Sequence, residues 1–235
     1  MAVFIASTVA VRATFGLPNS TTGLSGGAVT IDTTGATLIV AFTAGGNSGV
    51  FVMQDSASNA WTTGPIFAQS TLNPTVNFHY VFNPITSATH TFDPEHTAGA
   101  SEVFVFGGAG TWTLDQMSGA TTHTAGTTIT TGSITPSQAG DVIVAGIGSF
   151  QSIGPGLVNN SFSGGPGVAV GSALSQRLSA SPCASLAGYL IDSSSSSINA
   201  TFSSIPNNSD WMWAIAAFKL VTVSTGSKSV FYTVT

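Results

Sequence analysis

Charge is what this chain has least of. Charged residues make up 6% of its 235 positions, against a usual share of roughly 25%. Arg12, Arg177, Lys219 and Lys228 are the whole basic complement, and nine acids bring the net charge to −5. The span 142–176 carries no ionisable side chain. Nothing here can neutralise a row of phosphates, so nucleic acid is excluded as a partner and anionic membrane is disfavoured. Cysteine is nearly absent. Cys183 alone rules out a disulfide within the chain and any zinc site built from several thiolates, and it reads as a small buried thiol. Long apolar runs are missing too. The densest, WMWAIAAFKLVTV, is interrupted by Lys219 and falls well short of the ~20 apolar residues of a membrane-spanning helix. In the N-terminal MAVFIASTVAVR the first basic residue follows the apolar stretch. A signal peptide has the reverse order, so this segment is expected to be a strand.

What remains is Gly, Ser, Thr and Asn around short hydrophobic runs, with 27 Gly and 10 Pro. Helical periodicity is almost absent. Apolar runs of four to eight residues recur between turn residues, which is the pattern of an all-β chain. Segment 211–222 is long enough for a short helix, but its aromatic and β-branched ends favour a strand. Two stretches, GATLIVAFTAG at 35–45 and GDVIVAGIGSF at 140–150, open similar series. TLIVAF is followed by FHYVF, THTF and EVFVFGG; DVIVAG is followed by LAGYLI, NATF and WMWAIAAF. Tyr80 aligns with Tyr189, and Thr91 and Phe92 with Thr201 and Phe202. A four-stranded sheet alone leaves one apolar face uncovered, and two such sets facing each other bury both. The expectation is therefore one β-sandwich domain over 1–235, of jelly-roll type. Its similar halves span about 30–115 and 127–222, and they interleave. Terminal strands at 3–14 and 228–234 are expected to complete it or to reach a neighbour.

Residues 50–63, VFVMQDSASNAWTT, read as two strands around a DSASN turn. Asp55 and Asn59 suit it because their side chains bond nearby backbone and tolerate left-handed conformations. One carboxylate is too few for calcium, which takes six to eight oxygens. This hairpin, with the apolar run before it, resembles the jelly-roll or concanavalin-A-like sandwich modules of phage virion proteins and bacterial surface proteins. Those commonly carry V-x-D-S-x-G-N-x-W; here Asp55, Ser56, Asn59 and Trp61 match, Val52 stands one residue further from Asp55 than the pattern has it, and Ser58 stands where Gly is usual. The resemblance covers roughly residues 30–220 as a pattern, and it implies a sandwich fold and a non-catalytic role.

His79, His90, Asp93, Glu95, His96 and Glu102 crowd into one stretch. His90 and Phe92 share one face of a strand, and Thr91 and Asp93 the other. Pro94 is expected to end that strand, leaving Asp93, Glu95 and His96 in a solvated turn rather than in a metal site. The glycine clusters GGAG and SGGPG lie in β surroundings with no following helix or Lys, so they are not phosphate loops. No catalytic residue, metal ligand or cofactor is assigned. Among the four tryptophans, Trp211 and Trp213 fall on one strand face and read as buried. Trp112, flanked by threonines, is expected to be exposed and is the candidate ligand contact, for a glycan by stacking.

These features favour a structural, non-enzymatic protein of a virus or phage particle, capsid-decorating or fibre-type. It would act through self-association, a trimer being plausible, and through contacts with other particle proteins. It would assemble in the host cytoplasm and leave by lysis. A carbohydrate-binding or adhesin module at the cell surface, and an extracellular filament subunit joined by strand exchange, are the alternatives.

Overall fold

The computed structural model describes residues 13–16, 29–45, 52–68, 75–95, 99–122, 126–149, 159–163, 174–176, 183–208 and 211–222. Within them every regular element is a strand. The first half contributes β1 (Ala13–Gly16), β2 (Val29–Ile31), β3 (Leu38–Gly45), β4 (Val52–Asp55), β5 (Thr62–Thr63), β6 (Phe67–Ala68), β7 (Thr75–Phe82), β8 (His90–Glu95) and β9 (Gly99–Phe106). The second contributes β10 (Thr111–Thr122), β11 (Gly126–Thr130), β12 (Val142–Ser149), β13 (Asn159–Phe162), β14 (Leu174–Gln176), β15 (Cys183–Ile191), β16 (Ala200–Asn208) and β17 (Trp211–Val221). The proposed terminal strand at 228–234 and most of that at 3–14 lie outside the described residues.

The strands form four sheets, and one order occurs twice. A first central sheet runs β1-β9-β3-β7, with β5 and β6 both on the far side of β7; a second runs β10-β17-β12-β15-β14. A first outer sheet runs β2-β8-β4, and a second runs β11-β16-β13. All pairings are antiparallel. Each half therefore builds its own pair of sheets. The halves meet face to face and are not interleaved within a sheet. The boundary between them falls at 107–110, earlier than the sequence pattern placed it, because β10 pairs along its length with β17.

Three apolar cores separate the four layers. Ile31, Ile39, Ala41, Met53, Phe92, Val103 and Val105 fill the first half's own sandwich. Ile143, Ala145, Ile147, Leu186, Phe202, Trp211 and Ile215 fill the second. The largest core lies between the central sheets, from Leu38, Val40, Phe42, Phe78, Tyr80, Phe104 and Phe106 on one side to Val142, Val144, Tyr189, Ala214, Ala216 and Phe218 on the other. Strands β3, β9, β12, β15 and β17 are thus covered on both faces, which explains why they read as continuous apolar runs rather than as alternating ones.

Register makes the halves comparable residue by residue. Leu38 pairs with Phe106 and Phe82, and Val142 with Phe218 and Ile191. Val40 pairs with Tyr80, and Val144 with Tyr189. Val29 pairs with Phe92, and Ile129 with Phe202. Gly35 and Gly140 precede the two matching strands, both at positive φ (79° and 93°). Contacts across the central core also come in matching sets. Tyr80 meets Phe218 at 5.4 Å between ring centroids, and Tyr189 meets Phe106 at the same distance.

Counting along this register sets Phe42 opposite Gly146, its own equivalent in the other half. They are in contact: a Cβ on Gly146 would lie 2.6 Å from the Phe42 ring. Around them Phe78 corresponds to Ala187 and Phe104 to Ala216. Bulk on one sheet fills space left by small residues on the other.

Gly146→Ala should therefore cost roughly 1–3 kcal/mol through overpacking. Adding Phe42→Leu should recover part of that loss, read as a favourable coupling in a urea-denaturation double-mutant cycle. Additive costs would mean that the two positions do not pack on each other.

Candidate functional site

Trp112 is not on the surface. It is 3% exposed, sits in the core between the central sheets, and donates from its indole nitrogen to Thr37 Oγ1 at 2.8 Å. The strand period explains the correction. Thr111 and Thr113 occupy the outward positions of β10, so the residue between them points inward. Its aromatic face is covered by the fold. Trp211 is buried in the second half's sandwich, with Trp213 packed against the same core.

The histidine and acid set of residues 79–102 is divided among layers. His79 is buried on β7. The Asn77 side-chain amide lies 3.1 Å from its Nε2 and Thr63 Oγ1 lies 3.2 Å from its Nδ1. Burial pushes its pKa down to about 4, so the ring is neutral at physiological pH. Glu102 is buried on β9, level with Phe42. Strand β8 does not stop at Pro94 but runs on to Glu95, with Pro94 opposite Met53 of β4. The proline is tolerated because, among the described residues, β2 covers only Phe92 to His90 on the other side of β8, so the missing N–H interrupts no described ladder there. His96 lies outside the described residues. Among those described, no three His, Cys, Asp or Glu side chains converge as a metal site would require.

Two polar clusters are built with more care. The first centres on Asp55. Strands β4 and β5 do not form a hairpin: β4 pairs in the outer sheet and β5 in the central one. The DSASN turn is the crossover between layers, and Asp55 organises it. Its carboxylate accepts from the backbone N–H of Ala57 and Asn59, from the Asn59 side chain and from the Trp61 indole, at 2.8–3.0 Å. Asn59 in turn reaches the Ile85 backbone in both directions. Ser58 takes the left-handed conformation, φ 57°, which is why glycine suits this position. His90 closes the cluster, its Nε2 3.5 Å from Asp55 Oδ1 and its ring stacked on Phe92. Burial alone would raise the Asp55 pKa. The bonds from Asn59 and Trp61 and the charge of His90 more than offset it and hold the carboxyl below its ordinary range. The oxygens a cation would need are already engaged.

The second cluster lies at one end of the second half's sandwich. A β-bulge between Leu114 and Gln116 turns Asp115 out of the ladder. Its carboxylate accepts from Ser137 N at Oδ2 and from Ser137 Oγ at Oδ1, both at 2.7 Å, and lies 3.4 Å from Lys219 Nζ on β17. Lys219 also donates to Ser137 Oγ at 3.0 Å. Burial raises the Asp115 pKa, but the Ser137 bonds and Lys219 outweigh it and lower the carboxyl overall. Asp141, just before β12, is 0% exposed, and among the described residues no donor meets its carboxyl oxygens with full hydrogen-bond geometry, Gln138 acting on them more loosely. Burial, then the charge of Asp115, push its pKa up to about 7, against the opposing pull of Gln138 and Lys219. The sequence offered no local signal for this cluster, since Asp115 and Lys219 are 104 residues apart.

No family model, curated protein or solved structure matches this chain.

Asp55→Asn should destabilise the fold by about 2–4 kcal/mol at neutral pH, since it turns a donor group toward converging donors. A depressed carboxylate stabilises above its ordinary pKa, near 3.8, and loses that contribution as pH falls through the lower folded value. Urea midpoints of wild type and variant should therefore differ most at pH 6–7 and converge on acidification. A pH-independent gap would show that the charge of Asp55 contributes nothing.

Proposed function

We propose that this chain is a non-catalytic structural protein of a phage-type particle, a capsid-decorating or fibre-type component that works by self-association and contacts with other particle proteins. The observation that carries the reading is the outer surface of the second outer sheet. Thr128, Thr130 and Ser161 are exposed there, Thr130 bonds Thr201 across the strands at 3.1 Å, and no charged residue occurs on any of its three strands. Strands β11 and β13 each pair on one side only, within the described residues. Uncharged hydroxyls beside an open strand edge suit a neighbouring chain bound through backbone hydrogen bonds and close packing. The rigid stack behind them holds that face in shape. Asp55 spends its bonding capacity on the crossover between an outer and a central sheet, and His79 bonds within the central sheet, which also supports a structural role. A glycan-binding role loses its named platform with Trp112 buried. Among the described residues no helix is long and apolar enough to cross a membrane.

Light scattering on the purified full chain after size exclusion tests this. A closed oligomer, with a trimer as the first expectation, is predicted, and it should dissociate when Thr128 and Thr130 are both replaced by Lys. A wild-type chain that stays monomeric at high concentration would contradict the reading.

A further inference from the structure

The geometry points to an intramolecular isopeptide bond between Lys219 Nζ and Asp115 Cγ, formed spontaneously with Asp141 as the proton-transferring acid. Three observations carry this. First, amine and carboxylate are already in contact, Lys219 Nζ lying 3.4 Å from Asp115 Oδ1, so the carbon that the amine must reach is the next atom along. They project from adjacent paired strands, with the bulge at Asp115 supplying the reach. Second, Asp141 is a fully buried carboxyl with no hydrogen bond of full geometry, its polar neighbours being Asp115, Gln138 and Lys219. The carboxylate of Asp115 lies beside it, so the bond open to it is a proton shared with Asp115, and its raised pKa keeps that proton available. Third, the arrangement occurs in one half only. By register, Gly107 stands where the second half has Lys219, and Thr37 where it has Asp141. The fold is built without these groups in the first half, so the second half holds them for something other than strand pairing.

The step balances without a co-reactant. Asp141 passes its proton to the Asp115 carboxylate and takes one from the Lys219 ammonium, leaving a neutral amine beside a neutral carboxylic acid. The Nζ lone pair attacks Asp115 Cγ and opens its C=O. The backbone N–H of Ser137, which already donates to Oδ2, holds the charge developing on that oxygen. Asp141, protonated by the first exchange, gives its proton to the departing hydroxyl and takes one from the nitrogen. The C–O bond breaks, water leaves, an amide remains and Asp141 is again protonated. Lys219 and Asp115 side chains are only 28% and 8% exposed, which limits competition from solvent.

The product fits a chain with a single cysteine. It would tie edge strand β10 to β17, the first and last strands of the second half, and close a long loop covalently where no disulfide can.

Intact-mass spectrometry of the full-length chain tests this, with Lys219→Met and Asp141→Asn as controls and circular dichroism to confirm that each folds. Wild type should be lighter by about 18 Da, one water, than the mass calculated from its sequence. Both variants should have their full calculated mass. Trypsin cannot cut after a modified Lys219, so wild type should yield peptide 13–177 joined to 178–228. A folded wild type at full calculated mass would overturn the bond. The same loss in Asp141→Asn would overturn the role of Asp141, and a loss mapped elsewhere would overturn the site.

Discussion

The packing of Phe42 against Gly146 sets the distance between the two central sheets, and the rest of the structure follows from that distance. The two residues hold the same place in their halves. If both were phenylalanine the rings would collide; if both were glycine a void would open at the centre of the largest core. One bulky and one absent side chain resolve the conflict, and the same division recurs around them, with Phe78 and Phe104 set against the small residues Ala187 and Ala216. The halves share a strand order but not a core composition. Each has the complement of the other's surface, so this interface selects the unlike pairing over two copies of either half.

A protein stacked four sheets deep must bury strands on both faces, and polar side chains are trapped in the process. The structure handles them in two ways. Around Asp55 the groups bond to one another and to a turn, joining an outer sheet to a central one, and around His79 they bond within the central sheet. At Asp141 the group has no fully formed hydrogen bond among the described residues and sits beside a second carboxylate, a lysine and Gln138. The first arrangement is what a stable buried network requires. The second is costly unless a proton, or a covalent bond, resolves it, and so it is the place where chemistry is expected in a chain otherwise built for shape.

Much of the architecture was legible because β-strand signals are local. TLIVAF and DVIVAG are buried on both faces and read as such, and Trp211 to Val221 is the strand its ends favoured. The DSASN turn was legible as a turn, though the strands it joins lie in different layers, which only the partners of β4 and β5 reveal. Trp112 was misjudged from its neighbours: Thr111 and Thr113 mark the outward face, and alternation places the tryptophan inside. Residues 116–122 gave no apolar signal because this part of β10 is a half-exposed edge with a glycine, held by β17 rather than by its own propensity. Pro94 looked like a terminator and is not one, since among the described residues the side of β8 where its N–H would have pointed has no partner at that level. The Asp115, Ser137, Asp141 and Lys219 cluster is assembled from three distant segments, a bulge, a loop and a strand, and no spacing rule reaches it.

The central claim is that the shared core makes the two halves one cooperative unit. Native-state hydrogen exchange measures this most directly. The account predicts that amides of β3 and β12 are the slowest in the molecule, open with the same free energy, and lose protection together when Gly146 is replaced by Ala. If β12 opens at a distinctly lower free energy while β3 keeps its protection, the halves are independent sandwiches and the Phe42–Gly146 contact does not hold the structure together.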